Sequence, residues 1–288
     1  TGPDSDYPLD FPFARNRVHW ESVYGSWRKE GYFIDVCIMF ETLARAQWKN
    51  LAKDARNYGH RFATAFGPQS KLNLVQAVEI GNEPGKFSDE DYRTLFQAMA
   101  EGVRAGDPKL LVGTCNVNVG PSGDYHKSIE CVRGLESLYD IINVHVYAQL
   151  EPWPTWKRTY PEDTRLNNYL EEIDRLIAWR DANAPGKKIW VTEFGWDAST
   201  KQPPSTGDFA KWVGNSELEQ AQWLVRSFLL FAKRDVEKAF IYFFNDDDTP
   251  QLHGSSGVTR HFEPKPAFYA VEQLLAVLGE THFDGTEW

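Results

Sequence analysis

From residue 32 onward, short apolar runs rich in β-branched residues alternate with longer stretches of helical periodicity, and this alternation leaves few folds open to the chain. The strand-like runs are Tyr32–Phe40, Val75–Ile80, Leu110–Thr114, Ile141–Val146, Lys188–Thr192 and Lys238–Phe244. Between and after them the spacing predicts helices over about 46–66, 89–105, 124–137, 165–182, 217–234 and 265–278, with Ser88 as an N-cap. Strand-then-helix repetition gives a parallel sheet with helices outside it. Near-continuous apolar strands suit a sheet buried on both faces. The expected fold class is therefore α/β, of the (β/α)8 TIM-barrel type. Six strands fall short of the eight a barrel needs, so the first one or two β/α units are missing or irregular in this chain, as in a fragment of a longer protein. Residues 1–31 are Pro-rich and aromatic and hold at most one short strand, near Asn16–His19. Residues 32–280 then form the barrel domain and 281–288 a C-terminal tail.

Composition narrows the partners. A formal charge of −10 argues against nucleic acid and anionic membrane surfaces. No apolar run nears the length of a membrane span, and no signal peptide is visible. Cys37, Cys115 and Cys131 follow no metal-binding spacing, and Cys37 and Cys115, inside strands, are expected to be buried thiols. Eleven tryptophans exceed what core filling usually needs; a cleft that stacks sugar rings would use the surplus.

Two glutamates carry the chemistry. Glu83 follows the run Val78-Glu79-Ile80-Gly81-Asn82, and Glu193 lies in Ile189-Trp190-Val191-Thr192-Glu193-Phe194-Gly195-Trp196. Each sits where a barrel strand ends, which is where (β/α)8 enzymes place catalytic side chains. Two carboxyls flanking one sugar linkage can run glycoside hydrolysis, one as acid/base and one as nucleophile. Gly81-Asn82-Glu83-Pro84 and Val191-Thr192-Glu193-Phe194-Gly195 resemble the two signatures of the clan A glycoside hydrolases. Val144-His145-Val146-Tyr147, and the Gly257-Val258-Thr259 to Tyr269 stretch, are similar to the clan's sixth strand and its entry into the last helix, and the order of the motifs is the clan's. The resemblance covers about residues 32–278 and is nearest in motif combination to families 39, 5 and 86. It implies a retaining mechanism through a glycosyl-enzyme ester, with Glu83 as acid/base, Glu193 as nucleophile and Tyr147 hydrogen-bonded to Glu193. Two features depart from the clan: Phe243-Phe244-Asn245-Asp246 stands where a Trp often ends the last strand, and the strand-two Arg has candidates only in Arg15 and Arg17.

Around this pair the expected substrate contacts are Asn82, which could donate to a sugar 2-hydroxyl, His145, Tyr147, Trp196, Trp153, Trp156, Asn116 and Glu41, with Asn118 beside them. Trp212 is read as packing. Glu79 precedes Glu83 by four residues, an even offset that puts both on one strand face and suits an interior ion pair. Asp246, Asp247 and Asp248 have the composition of a hard-cation site without an EF-hand pattern, and no metal or cofactor is expected. The reading is a retaining O-glycoside hydrolase acting on a β-linked poly- or oligosaccharide, secreted, periplasmic or at the cell surface by inference from that function, with no protein partner. The alternatives are a carbohydrate-binding barrel without turnover, favoured if the N-terminal strands are lost, and a transglycosylase, which shares the covalent intermediate.

Overall fold

A computed structural model describes residues 20–285. The short strand expected at Asn16–His19, and Arg15 and Arg17, lie outside the described residues. The chain forms two compact units, the first running to Asn143 and including Arg180–Lys188, the second comprising Val144–Trp179 and everything from Ile189.

The first unit opens on a helix, α1 (Trp20–Lys29), where irregular chain was expected. Its Trp20, Val23, Tyr24 and Trp27 fall at helical spacing, Trp20 and Trp27 each ring-packed on Tyr24. Glu21 in the first turn and Arg28 and Lys29 in the last complement the helix dipole. Then follow β1 (Asp35–Ile38), α2 (Leu51–Phe66), β2 (Ala77–Ile80), α3 (Asp89–Gly106), β3 (Leu111–Asn118) and the two-residue β4 (Lys127–Ser128). β1 pairs with β2 and β2 with β3, both in parallel, as alternation requires. Ser88 caps α3 as expected, its Oγ accepting from the Asp91 N–H at 3.1 Å. Gly59 and Gly102 let α2 and α3 approach closely: a Cβ on Gly59 would lie 2.3 Å from the Met99 carbonyl, and one on Gly102 2.1 Å from that of Arg56. Each glycine costs helix propensity and is kept by this contact.

The helix expected over 124–137 does not form. That stretch holds β4 and a 3-10 turn, Ile129–Val132. Gly134 adopts φ 83°, and Arg93 takes up the carbonyls of Cys131 and Arg133, each at 2.8 Å. Tertiary donors have replaced the helical ladder. β5 (Ile141–His145) is fully buried; its first residues pair in parallel with β3, and the boundary between the units falls within it.

The boundary also falls within α4 (Leu170–Asn183), after which come β6 (Lys188–Phe194), α5 (Glu217–Ala232) and β7 (Val236–Ile241), with β6 and β7 parallel. Ser216 and Glu219 form a capping box at the start of α5. Short strands β8 (Asn245–Asp246), β9 (Thr259–Arg260) and β10 (Glu263–Pro264) make a small sheet of their own, and α6 (Pro266–Leu278) ends the regular structure. The core of this unit is aromatic: Phe194 packs edge-on against Phe228 and Phe231, and Trp196 against Tyr169 and Trp223. None of the three cysteines forms a disulfide; Cys115 and Cys131 are buried, whereas Cys37 is only partly so. Among the described residues no helix is long and apolar enough to cross a membrane.

Candidate active site

In the first unit the turn after β2 is built around Gly81. Its φ of 93° suits only glycine, and a Cβ there would meet the Phe40 ring at 2.5 Å. Phe40 is itself wedged among Trp48, Phe87 and Tyr92. The backbone therefore turns sharply at Gly81 and presents Asn82 and Glu83, both half-buried, just beyond the strand. Glu41, which follows β1, holds the turn from beneath: its Oε1 accepts the Asn82 N–H at 2.8 Å and the Glu83 N–H at 3.1 Å. Burial raises the Glu41 carboxyl above the usual range, and the charge of Glu83 adds to this against three backbone donors. Glu41 thus serves the turn through one oxygen, a role its sequence position did not disclose. The expected sugar contact Asn116 is buried; its side-chain amide donates to the Tyr125 carbonyl at 2.8 Å and its N–H to the Asn82 carbonyl at 3.0 Å. It braces the same turn.

Below the turn, on β2, Glu79 is buried and accepts a hydrogen bond from the Asn143 amide. It also shares a hydrogen bond with a second acid, Asp35 on β1. Burial pushes Asp35 up to about 6, opposed by the hydrogen bonds from Glu79 and the Val36 backbone.

In the second unit Glu193 sits one residue before the end of β6, its side chain 19% exposed. Tyr147, just past β5, donates its phenol O–H to Glu193 Oε2 at 2.7 Å, and His145 Nδ1 lies 3.6 Å from the same oxygen. The main chains are tied as well, the Val146 N–H donating to the Glu193 carbonyl at 3.0 Å. Burial and the neighbouring carboxylate hold the Tyr147 phenol well above its ordinary value, so it stays a donor at any working pH. His145, Tyr147 and Glu193, expected together, are together.

Trp196 is a correction. It is fully buried, its indole N–H donates to the Thr159 carbonyl at 2.8 Å, and aromatic rings surround it. Gly195 redirects the chain inward where a Cβ would strike the Tyr242 carbonyl at 2.6 Å. Trp196 therefore offers no face to a sugar. Trp153 is 62% exposed and Trp156 half-buried, so an indole face is open to solvent in the loop after β5. Trp212 is buried packing, as expected. Phe244, where the clan often has Trp, is 61% exposed. Asp246 is buried between Lys265 (3.0 Å) and Arg260 (3.1 Å), and Arg260 also reaches Asp248 at 3.3 Å. Asp246 and Asp248 are thus paired with the protein's own cations.

No protein-family model matches the chain, and no curated protein matches it. Solved structures do. A family 39 glycoside hydrolase from the gut symbiont Bacteroides cellulosilyticus WH2 superposes with a TM-score of 0.68 at 21% identity, over 94% of this chain and 56% of that one. The family 53 catalytic domain of Ignisphaera aggregans gives 0.58 at 15% identity, over 92% and 79%. A family 17 β-1,3-glucanosyltransferase from Rhizomucor miehei gives 0.55 at 15%, over 86% and 80%. The chain spans little more than half the length of the first of these. Its parallel α/β architecture is thus of the TIM-barrel type that these glycoside hydrolases have.

Proposed function

We propose that the protein is a retaining glycoside hydrolase that cleaves β-linkages in a poly- or oligosaccharide. The observation that carries this reading is the setting of Glu193: a carboxylate at a strand end, partly open to solvent, holding a 2.7 Å hydrogen bond from a phenol that remains protonated. A nucleophilic carboxylate has to stay ionised, and a donor aimed at one oxygen favours that state while leaving the other to attack.

In the proposed reaction Glu193 attacks the anomeric carbon while the Glu83 carboxyl gives its proton to the departing glycosidic oxygen. The C–O bond breaks and a glycosyl ester forms on Glu193. Glu83, now a carboxylate, takes a proton from water; the water oxygen displaces Glu193 and regenerates both groups with net retention. Asn82, adjoining Glu83, is the proposed donor to the sugar 2-hydroxyl. Trp153 is the proposed stacking surface for a more distant ring.

The test is to incubate the protein with 2-fluoro-2-deoxy glycosides bearing an activated leaving group, followed by peptide mass spectrometry. The expected result is one added glycosyl unit on the peptide containing Glu193, with product of retained configuration by NMR. Inverted product, or label on another peptide, would overturn the reading.

A further inference from the structure

Behind Tyr147 lies an arginine that no motif marks. Arg158 is buried, its side chain only 2% exposed. Its guanidinium carbon stands 4.2 Å from the centre of the Tyr147 ring. Nη1 donates to the Gly195 carbonyl at 2.9 Å, in the turn that follows Glu193, and pairs with Asp197 Oδ2 at 3.3 Å. Nη2 lies 3.2 Å from His253 Nε2, and Nε 3.5 Å from Gln149 Oε1. An arginine has only donors, so His253 Nε2 must be the acceptor and His253 is a neutral imidazole in this contact. The His253 ring in turn stands edge-on to Tyr147 at 4.8 Å and to Tyr242 at 5.5 Å. Asp197 closes the cluster by accepting the main-chain N–H of His253 at 3.1 Å and the Ser256 hydroxyl at 2.7 Å.

Resting on the hydrolase reading, we infer that Arg158 is a positioning residue for the Tyr147–Glu193 pair. It fixes the phenol from the ring face and the nucleophile's strand end from the Gly195 carbonyl. One rigid fork thereby ties both partners of the 2.7 Å hydrogen bond to one frame. The planar guanidinium is essential to this: a lysine carries the same charge but cannot stack on the ring while serving acceptors on three sides. The cation also draws electron density from the phenol, opposing the burial and the carboxylate that hold its proton, which sharpens Tyr147 as a donor. A positioning residue of this kind acts on turnover and on its pH dependence more than on substrate affinity.

The experiment compares the parent with Arg158→Lys, Tyr147→Phe and the double variant on aryl β-glycosides, recording kcat, KM and the pH profile. Arg158→Lys is expected to lower kcat by about 10- to 100-fold with KM changed less than about threefold, and to move the acidic limb upward. In the Tyr147→Phe background the same change should cost less than about threefold, because the contact it serves is already gone. Full additivity, or an unmoved acidic limb in the single variant, would overturn the inference and leave Arg158 a packing residue. Should Arg158→Lys fail to fold, His253→Phe removes the Nη2 acceptor while keeping a ring against Tyr147; it must move the acidic limb in the same direction, and no movement overturns the inference equally. A parent inert on every glycoside, or Glu193→Gln at the parental rate, would sink the hydrolase reading and this role with it. An active, Glu193-dependent parent with an unaltered Arg158→Lys would sink this role alone.

Discussion

Glu83 and Glu193 are held in opposite ways. Glu83 stands on a turn secured through the main chain: its own N–H and that of Asn82 converge on Glu41, a second carboxyl. Glu193 is secured through its side chain, by a phenol, with an imidazole beside it and a buried arginine behind the phenol. A donor at one oxygen favours an ionised carboxylate, the state that the proposed nucleophile needs. The turn around Glu83 depends on a glycine at φ 93°, the setting of Glu193 on side chains drawn from distant parts of the sequence.

The largest effect is expected at Glu193. Glu193→Gln removes the nucleophile and should reduce kcat by roughly 10⁴-fold or more on every substrate, with the melting temperature little changed. Parental activity would reverse the contrast drawn above. Glu83→Ala should cost about 10²- to 10⁴-fold on glycosides with poor leaving groups and far less on activated aryl glycosides, which need no protonation. Azide should restore the latter in part, giving a glycosyl azide. Equal losses on both substrate types would remove Glu83 from the acid/base role.

A smaller effect is expected at Glu41. Glu41→Gln keeps an oxygen for the two backbone N–H groups but removes the charge beside Glu83. Turnover should change only severalfold, because the turn keeps both of its backbone hydrogen bonds. A loss beyond about a hundredfold would mean that the Glu41 charge does more than hold the turn.

Much of this was legible in the chain because it is local. The parallel alternation and the Ser88 cap follow from period and cap chemistry over a few residues. His145, Tyr147 and Glu193 came with a family resemblance. What stayed hidden depends on packing between distant residues. Trp196 lies only three residues beyond Glu193, yet its burial among Tyr169, Phe194 and Trp223 is set by rings distant in sequence. Arg158 gains its role from Tyr147, Gly195, Asp197 and His253, contacts that no spacing rule connects. The helix expected over 124–137 lost to Arg93, whose donors took the carbonyls a helix would have used.

The contrast between acid set against acid and acid set against cation recurs in the two interiors, with a smaller consequence. In the second unit buried Asp246 is neutralised by Lys265 and Arg260. In the first, Asp35 shares a hydrogen bond with Glu79, and burial pushes it up to about 6. An unfolded aspartate titrates near 4, so the folded protein holds this proton more tightly. The resulting stabilisation is present in full below about pH 4 and is lost as pH rises through about 6. Asp35→Asn keeps a hydrogen-bonding partner for Glu79 and removes the titrating group. Its melting temperature relative to the parent should therefore rise between pH 4.5 and pH 7.5, by a few degrees. Using the difference from the parent cancels the other carboxylates, which titrate in both proteins. A difference flat across this range would show that the two acids do not share a proton in the fold. A difference that falls with pH would show that Asp35 is held as a carboxylate, making the first interior resemble the second.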